Sequence, residues 1–149
     1  MTMTIDSFTG HNEFLSNFHK APVDWDGQTW KSAEHAFNAA KTKLPGEQVW
    51  VANANTPGEA KRRGRVVTLR EDWDKHWRYV YMYDIVRAKF RNPVLEDKLI
   101  GTYDSILVEG NIWHDGVWGV CRCGKCPPGK NCLGIILMQI RYDLIRGIS

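Results

Sequence analysis

The chain has 149 residues, is 43% apolar and 25% charged, and carries a formal net charge of +3. That is the length and balance of one globular domain with a real core, which excludes disordered and fibrous classes. No apolar run approaches the ~20 residues of a membrane span, and the start Met1-Thr2-Met3-Thr4-Ile5-Asp6 has neither the basic opening nor the apolar core of a secretory leader. A cytoplasmic protein with no membrane association is therefore expected. The mild positive charge suits anionic small molecules without demanding nucleic acid.

In chain order, residues 5–30 read as short strands and turns, with Asp26-Gly27 as a hairpin dipeptide before Gln28-Thr29-Trp30. A helix comes next, capped by Ser32 and ended by Pro45-Gly46, with Trp30, Ala33, Phe37, Ala40 and Leu44 on one apolar face. Glu34, Asn38 and Lys41 fall at i, i+4 and i+7 and form a polar line beside it. Such a line can hold a carboxylate, an amide and an ammonium at fixed mutual distances; an ordinary solvated helix face fits the same pattern. Residues 47–54 offer another helical turn or two. Thr56-Pro57-Gly58-Glu59 starts a helix that runs through Lys61, Arg62 and Arg63 to Gly64. From about Asp72 to Phe90 the pattern is helical, with Trp73, Trp77, Val80, Tyr81, Ile85 and Ala88 on one side. Asn92-Pro93 closes that helix and caps the next, through about Leu99. Residues 105–109 alternate as a strand, 110–130 are irregular, and a last helix from about Asn131 shows Leu133, Ile136, Leu137, Ile140 and Leu144 on one face. The fold class is α+β: a single compact, helix-rich domain over 1–149 with a few short strands.

Several residue groups carry chemistry, each with a plainer reading beside it. Cys121, Cys123, Cys126 and Cys132 could enclose a tetrahedral zinc, but only one pair has the C-x-x-C spacing, so free loop thiols are the default and no metal is assigned. Lys61-Arg62-Arg63-Gly64-Arg65 could meet phosphates or form a solvated face, with Arg65 the member best placed to point elsewhere. Gly129-Lys130-Asn131 ahead of a long helix offers a phosphate seat at a helix N-terminus; Gly and Asn are also plain capping residues. His35 adjoins Glu34 but projects about 100° away on a helix, so the two form no dyad. His76 and His114 have no spacing partner. Asp115, between Trp113 and Trp118, reads either as an Asx-turn or as a second carboxylate for a reaction at an anomeric carbon. With seven Trp, rings for stacking a base are plentiful. HExxH, GxGxxG, P-loop and GxSxG motifs are all absent.

Taken together, Phe14-Leu-Ser-Asn17-Phe18, then Gly27-x-Thr-Trp-x-Ser-Ala-Glu34-His35-x-Phe-Asn38-x-x-Lys41, resemble the NADAR family, also called YbiA-like N-glycosidases. The resemblance continues through Gly64-Arg65, Arg87-Ala88-Lys89-Phe90, Asp115-Gly-Val-Trp118-Gly119 and Gly129-Lys-Asn131-x-Leu-Gly-x-x-Leu-Met-x-x-Arg141. It implies hydrolysis of a ribose–nitrogen bond: removal of ADP-ribose from guanine in DNA or nucleotide, or cleavage of phosphoribosylamino-pyrimidine intermediates of riboflavin synthesis. A module that binds ADP-ribose without turnover is the alternative of another class. A small metal-stabilised nucleic-acid binder using Cys121–Cys132 and Lys61–Arg65 is a third.

By motif match the resemblance makes Glu34 the catalytic carboxylate and places Asp115 against the ribose and base, where it is read as the second catalytic residue, orienting a hydroxyl or the water. Trp118 and Gly119 would line ribose and base. Lys41, Arg65, Lys130 and Asn131 would face phosphate or hydroxyls, and Asn17, Phe18 and His35 would also contact substrate. It calls for no cofactor, and for a phosphorylated ribosyl or ADP-ribosyl substrate, carried on DNA or free. Residues 120–128 depart from the family's short glycine-rich link, which leaves substrate choice and a loop metal open.

Overall fold

The computed structural model describes residues 2–148; Met1 and Ser149, the ends of the expected 1–149 domain, lie outside the described residues. In chain order the elements are β1 (Thr4–Ile5), a 3₁₀ segment (Gly10–Leu15), β2 (Val23–Trp25), β3 (Gln28–Trp30), α1 (Ala33–Ala40), α2 (Pro45–Ala52) and α3 (Pro57–Gly64). Then come a π-helical turn (Trp73–Trp77), α4 (Arg78–Lys89), α5 (Pro93–Ile100), β4 (Ile106–Leu107), β5 (Gly110–Asn111), β6 (Val120–Cys121) and α6 (Cys132–Ile145). The α+β class holds, with helix dominant. No helix among the described residues is long and apolar enough to cross a membrane. The chain forms two compact units, Asn17–Arg91 and the residues up to Ser16 together with those from Asn92 onward.

In the unit Asn17–Arg91, β2 and β3 pair antiparallel with Val23 opposite Trp30. Asp26 and Gly27 both take positive φ, 52° and 78°, as a two-residue hairpin turn requires. Trp30 therefore belongs to a strand, not to the helix face expected for it, and its indole N–H donates to Trp25 O at 2.9 Å. The Ser32 cap is as expected: its Oγ accepts from the His35 N–H at 3.2 Å. Every residue of α1 is buried, because Ala33, Ala36, Ala39 and Ala40 let α2, α3 and α4 pack closely against it. Pro45, expected to end this helix, instead opens α2, where its missing N–H costs nothing, and Leu44 is left exposed. Thr56 caps α3, and the Glu59 carboxylate accepts from the Asn55 N–H, one residue ahead of the cap.

The helix expected over 72–90 begins as the π turn. The wider winding of that turn shifts the phase of α4, so Trp73, Ile85 and Ala88 are buried while Trp77 and Val80 stay exposed. Trp73 stacks on Tyr81 at 6.0 Å and leans on Phe37 of α1 at 5.3 Å.

In the other unit β1 runs parallel to β4, and β5 parallel to β6. Asn92 caps α5, its Oδ1 accepting from the Val94 and Leu95 N–H groups. Leu133, Leu137 and Ile140 of α6 are buried with Leu95, Leu99 and Leu107, each side chain contributing about 1.5–3 kcal/mol by leaving water. Arg141 is buried too, and donates to Thr102 Oγ1 at 2.8 Å, tying α6 to the end of α5.

Candidate functional site

The expected site residues divide between the two units. Asn17, Phe18, Glu34, His35, Lys41 and Arg65 lie in Asn17–Arg91; Asp115, Trp118, Gly119, Lys130 and Asn131 lie in the other.

The polar line of α1 is not a solvated face: Glu34 is 8% exposed and Asn38 0%. The Asn38 amide donates to Glu34 Oε1 at 2.9 Å and to Glu34 O at 2.8 Å, so the carboxylate is held by its own helix at the i, i+4 spacing. Asn38 cannot swing away, because α3 packs against it at Gly64, where a Cβ would come within 2.1 Å of Asn38 Oδ1. That oxygen has no hydrogen-bond partner among the described residues. Asn17 is brought to the same place, its carbonyl accepting the Glu34 N–H at 3.0 Å.

Lys41 interacts electrostatically with this carboxylate and also feels the charges of Lys61 and Arg65. Burial pulls the proton affinity of Lys41 below the usual lysine range; Glu34 opposes that, while Lys61 and Arg65 push further in the same direction. The basic cluster thus splits. Lys61 sits over the Phe18 ring at 5.7 Å, and Arg63 turns away to Trp50 O and Glu59. By spacing alone Lys61 is only one member of a basic run. What distinguishes it is the contact with Phe18, which has no signature in the sequence.

His35 lies in the interior with both ring nitrogens engaged, Nδ1 at 2.7 Å from Ser32 Oγ and Nε2 at 2.9 Å from Ala54 O. The carbonyl requires Nε2–H, leaving Nδ1 to accept from the serine hydroxyl. Burial holds its pKa below the ordinary value. A histidine with a depressed folded-state pKa contributes stability that is present above about pH 6.5 and lost as pH falls toward its folded pKa. Thermal unfolding of the protein should therefore show Tm falling below pH 6.5, and a His35→Gln variant should show a flatter profile over that window.

A cleft of about 530 Å³ lies at the hairpin and is lined by Trp25, Gly27, Asp84, Arg87 and Arg91 among others. None of the expected site residues lines it.

In the other unit Asp115 takes the turn role that the sequence left open. Its Oδ1 accepts from the Val117 and Trp118 N–H groups at 3.0 and 2.9 Å, and Asn111 clasps its backbone from both sides. The phosphate seat expected at the start of α6 is filled by the protein itself. The N–H groups of Lys130, Asn131, Cys132 and Leu133 donate to the carbonyls of Gly116, Gly119, Val117 and Trp118. Asn131 spends its side chain likewise, accepting from Glu109 N and donating to Leu107 O. Gly119 is needed for close approach, since a Cβ there would lie 2.1 Å from Glu109 O. The Lys130 side chain is left at the surface. His114, given no partner in the sequence, has Nδ1 3.1 Å from Cys126 Sγ.

This arrangement can be set beside known proteins. The NADAR domain family model matches residues 7–145. The chain is 36% identical over 133 residues to a protein named N-glycosidase YbiA from Escherichia coli, covering 87% of this chain and 80% of that one. An N-glycosidase of Acanthamoeba polyphaga mimivirus is 36% identical over 84 residues, 48% of this chain and 46% of that one. The solved NMR structure of E. coli YbiA superposes with a TM-score of 0.84 at 32% identity, covering 99% of this chain and 88% of that one. With the family model matching residues 7–145 and a 36% identical relative covered over most of its length, this chain belongs to the NADAR family.

Proposed function

We propose that this protein is an N-glycosidase, a hydrolase that cleaves a ribose–nitrogen bond, and that its substrate is an ADP-ribosylated guanine in DNA or nucleotide. The observation that carries the reading is the near-buried Glu34 carboxylate, fixed by Asn38 and interacting with Lys41, which in turn feels the charges of Lys61 and Arg65. Relatives named N-glycosidases support the reaction class.

The chemistry can be built from these parts. Cleaving C1′–N sends the bonding electrons to the base and leaves positive charge on C1′ and the ring oxygen. A carboxylate held in a poorly solvated place stabilises that charge more than it could in water. It can also take the proton of the water whose oxygen attacks C1′, while the departing nitrogen gains a proton. The cations do no bond-breaking. They fix the phosphates, and an anion beside Lys41 offsets the burial, and the lesser repulsion from Lys61 and Arg65, that weaken its hold on its proton. Asp115 shapes the turn that presents Trp118 and Gly119. His35 positions α1 through Ser32 and Ala54.

The test is to incubate the protein with ADP-ribosylated guanosine and, separately, with a phosphoribosylamino-pyrimidine, and to quantify free base by chromatography. Guanine released at least tenfold faster than pyrimidine supports the proposal. The reverse order assigns the riboflavin-intermediate reaction instead. ADP-ribose bound tightly with neither bond cleaved overturns the enzyme reading in favour of a binding module.

A further inference from the structure

We infer that His114, Cys121, Cys123 and Cys126 form a closed zinc site that staples the loop carrying Asp115, Trp118 and Gly119. The four ligand atoms all lie within 4.8 Å of one another. His114 Nδ1 is 3.1 Å from Cys126 Sγ and 3.7 Å from Cys121 Sγ, and Cys123 Sγ is 3.5 Å from Cys126 Sγ. A tetrahedral zinc with Zn–S near 2.3 Å and Zn–N near 2.0 Å requires ligand–ligand edges of about 3.5–3.8 Å. The contacts to Cys121 and between the two sulfurs fall in that range, and the contact to Cys126 is a little shorter.

The backbone is arranged around the same point. Pairing of β5 with β6 sets Asn111 beside Cys121, which brings the start and end of the 111–121 loop together. His114 then adopts φ +68°, a left-handed conformation that is costly for a residue with a side chain. Gly124 at φ +85° turns the Cys123-Gly124-Lys125-Cys126 knuckle, and the Lys125 N–H donates to Cys123 Sγ at 3.4 Å. Backbone amides aimed at ligating sulfurs are the usual outer support of thiolate metal sites.

The donor set selects the metal. Three thiolates and an imidazole in tetrahedral array suit zinc and offer nothing to magnesium or calcium. Four protein ligands leave no open position for substrate or water, so the ion is structural. Cys132, the fourth thiol expected from spacing, is not among the converging ligands; it opens α6 with its N–H on Val117 O. The site is independent of the proposed reaction, since it concerns only how this loop is held.

Protein purified in reductant and dialysed into metal-free buffer should retain one zinc per chain by mass spectrometry of the metal. Cobalt substitution should give the intense visible bands of a tetrahedral ion, with charge-transfer absorption for three thiolates, not four. His114→Ala and Cys126→Ser should each weaken zinc binding tenfold or more against a chromogenic chelator, while Cys132→Ser should match wild type. Substoichiometric zinc after loading under reducing conditions, or loss of affinity in Cys132→Ser equal to that in His114→Ala, would overturn the site. Should the ligand variants fail to fold, the cobalt spectrum of the intact protein still decides it. Four-thiolate absorption, or a spectrum that is not tetrahedral, counts against the assignment.

Discussion

Glu34→Gln should lower kcat for base release by about 10²–10⁴-fold, the range for losing a positioned general base, with KM changed little. The substitution keeps shape and length. A glutamine oxygen can still accept the Asn38 amide, so the hydrogen bond that orders the side chain survives while the charge is removed. Stability should therefore stay close to wild type in thermal unfolding, which separates a chemical loss from a folding loss. The same change removes the charge that raises the proton affinity of Lys41, so Lys41 should titrate at lower pH in the variant. A rate within a few-fold of wild type would remove Glu34 from the chemistry.

Asn38→Asp should be nearly as damaging for a different reason. The amide now donates to Glu34 Oε1 at 2.9 Å, and an aspartate there would set two carboxyl groups at hydrogen-bonding distance in a buried place. Two such groups cannot both ionise easily, so they share one proton and the second ionisation is pushed up. The acid limb of the kcat/KM profile should move to higher pH by about one unit or more, with activity at neutral pH reduced accordingly. Glu34 O also loses a donor, and this should cost about 1–3 kcal/mol of stability by chemical denaturation. An unshifted profile would mean that the state of the Glu34 carboxylate does not set the rate.

The features legible in the sequence are local. The i, i+4 relation of Glu34 and Asn38, the Ser32, Thr56 and Asn92 caps and the Asp26-Gly27 turn depend on neighbours a few residues apart, and each forms as read. The hidden features depend on contacts far along the chain. Whether the polar line of α1 faces water or interior is decided by α2, α3 and α4 closing over it, and Gly64 meets Asn38 across such a contact. The face of α4 escapes a periodicity reading because a π turn shifts the phase without leaving a mark in composition. The helix start at Asn131 reads as an open anion seat because motif and capping residue are both local, whereas the carbonyls that fill it come from residues 116–119. His114 reaches the cysteines only because two short strands pair.

Whether Glu34 faces the reacting carbon of a phosphate-bearing ribose is tested most directly by a crystal structure of the Glu34→Gln variant with bound ADP-ribose. The anomeric carbon should lie within about 4 Å of the residue 34 side chain, as a near-attack arrangement demands, with phosphate oxygens on Lys41, Lys61 or Arg65. ADP-ribose seated in the hairpin cleft beside Arg87 and Arg91, with no ribose atom near residue 34, would contradict that placement.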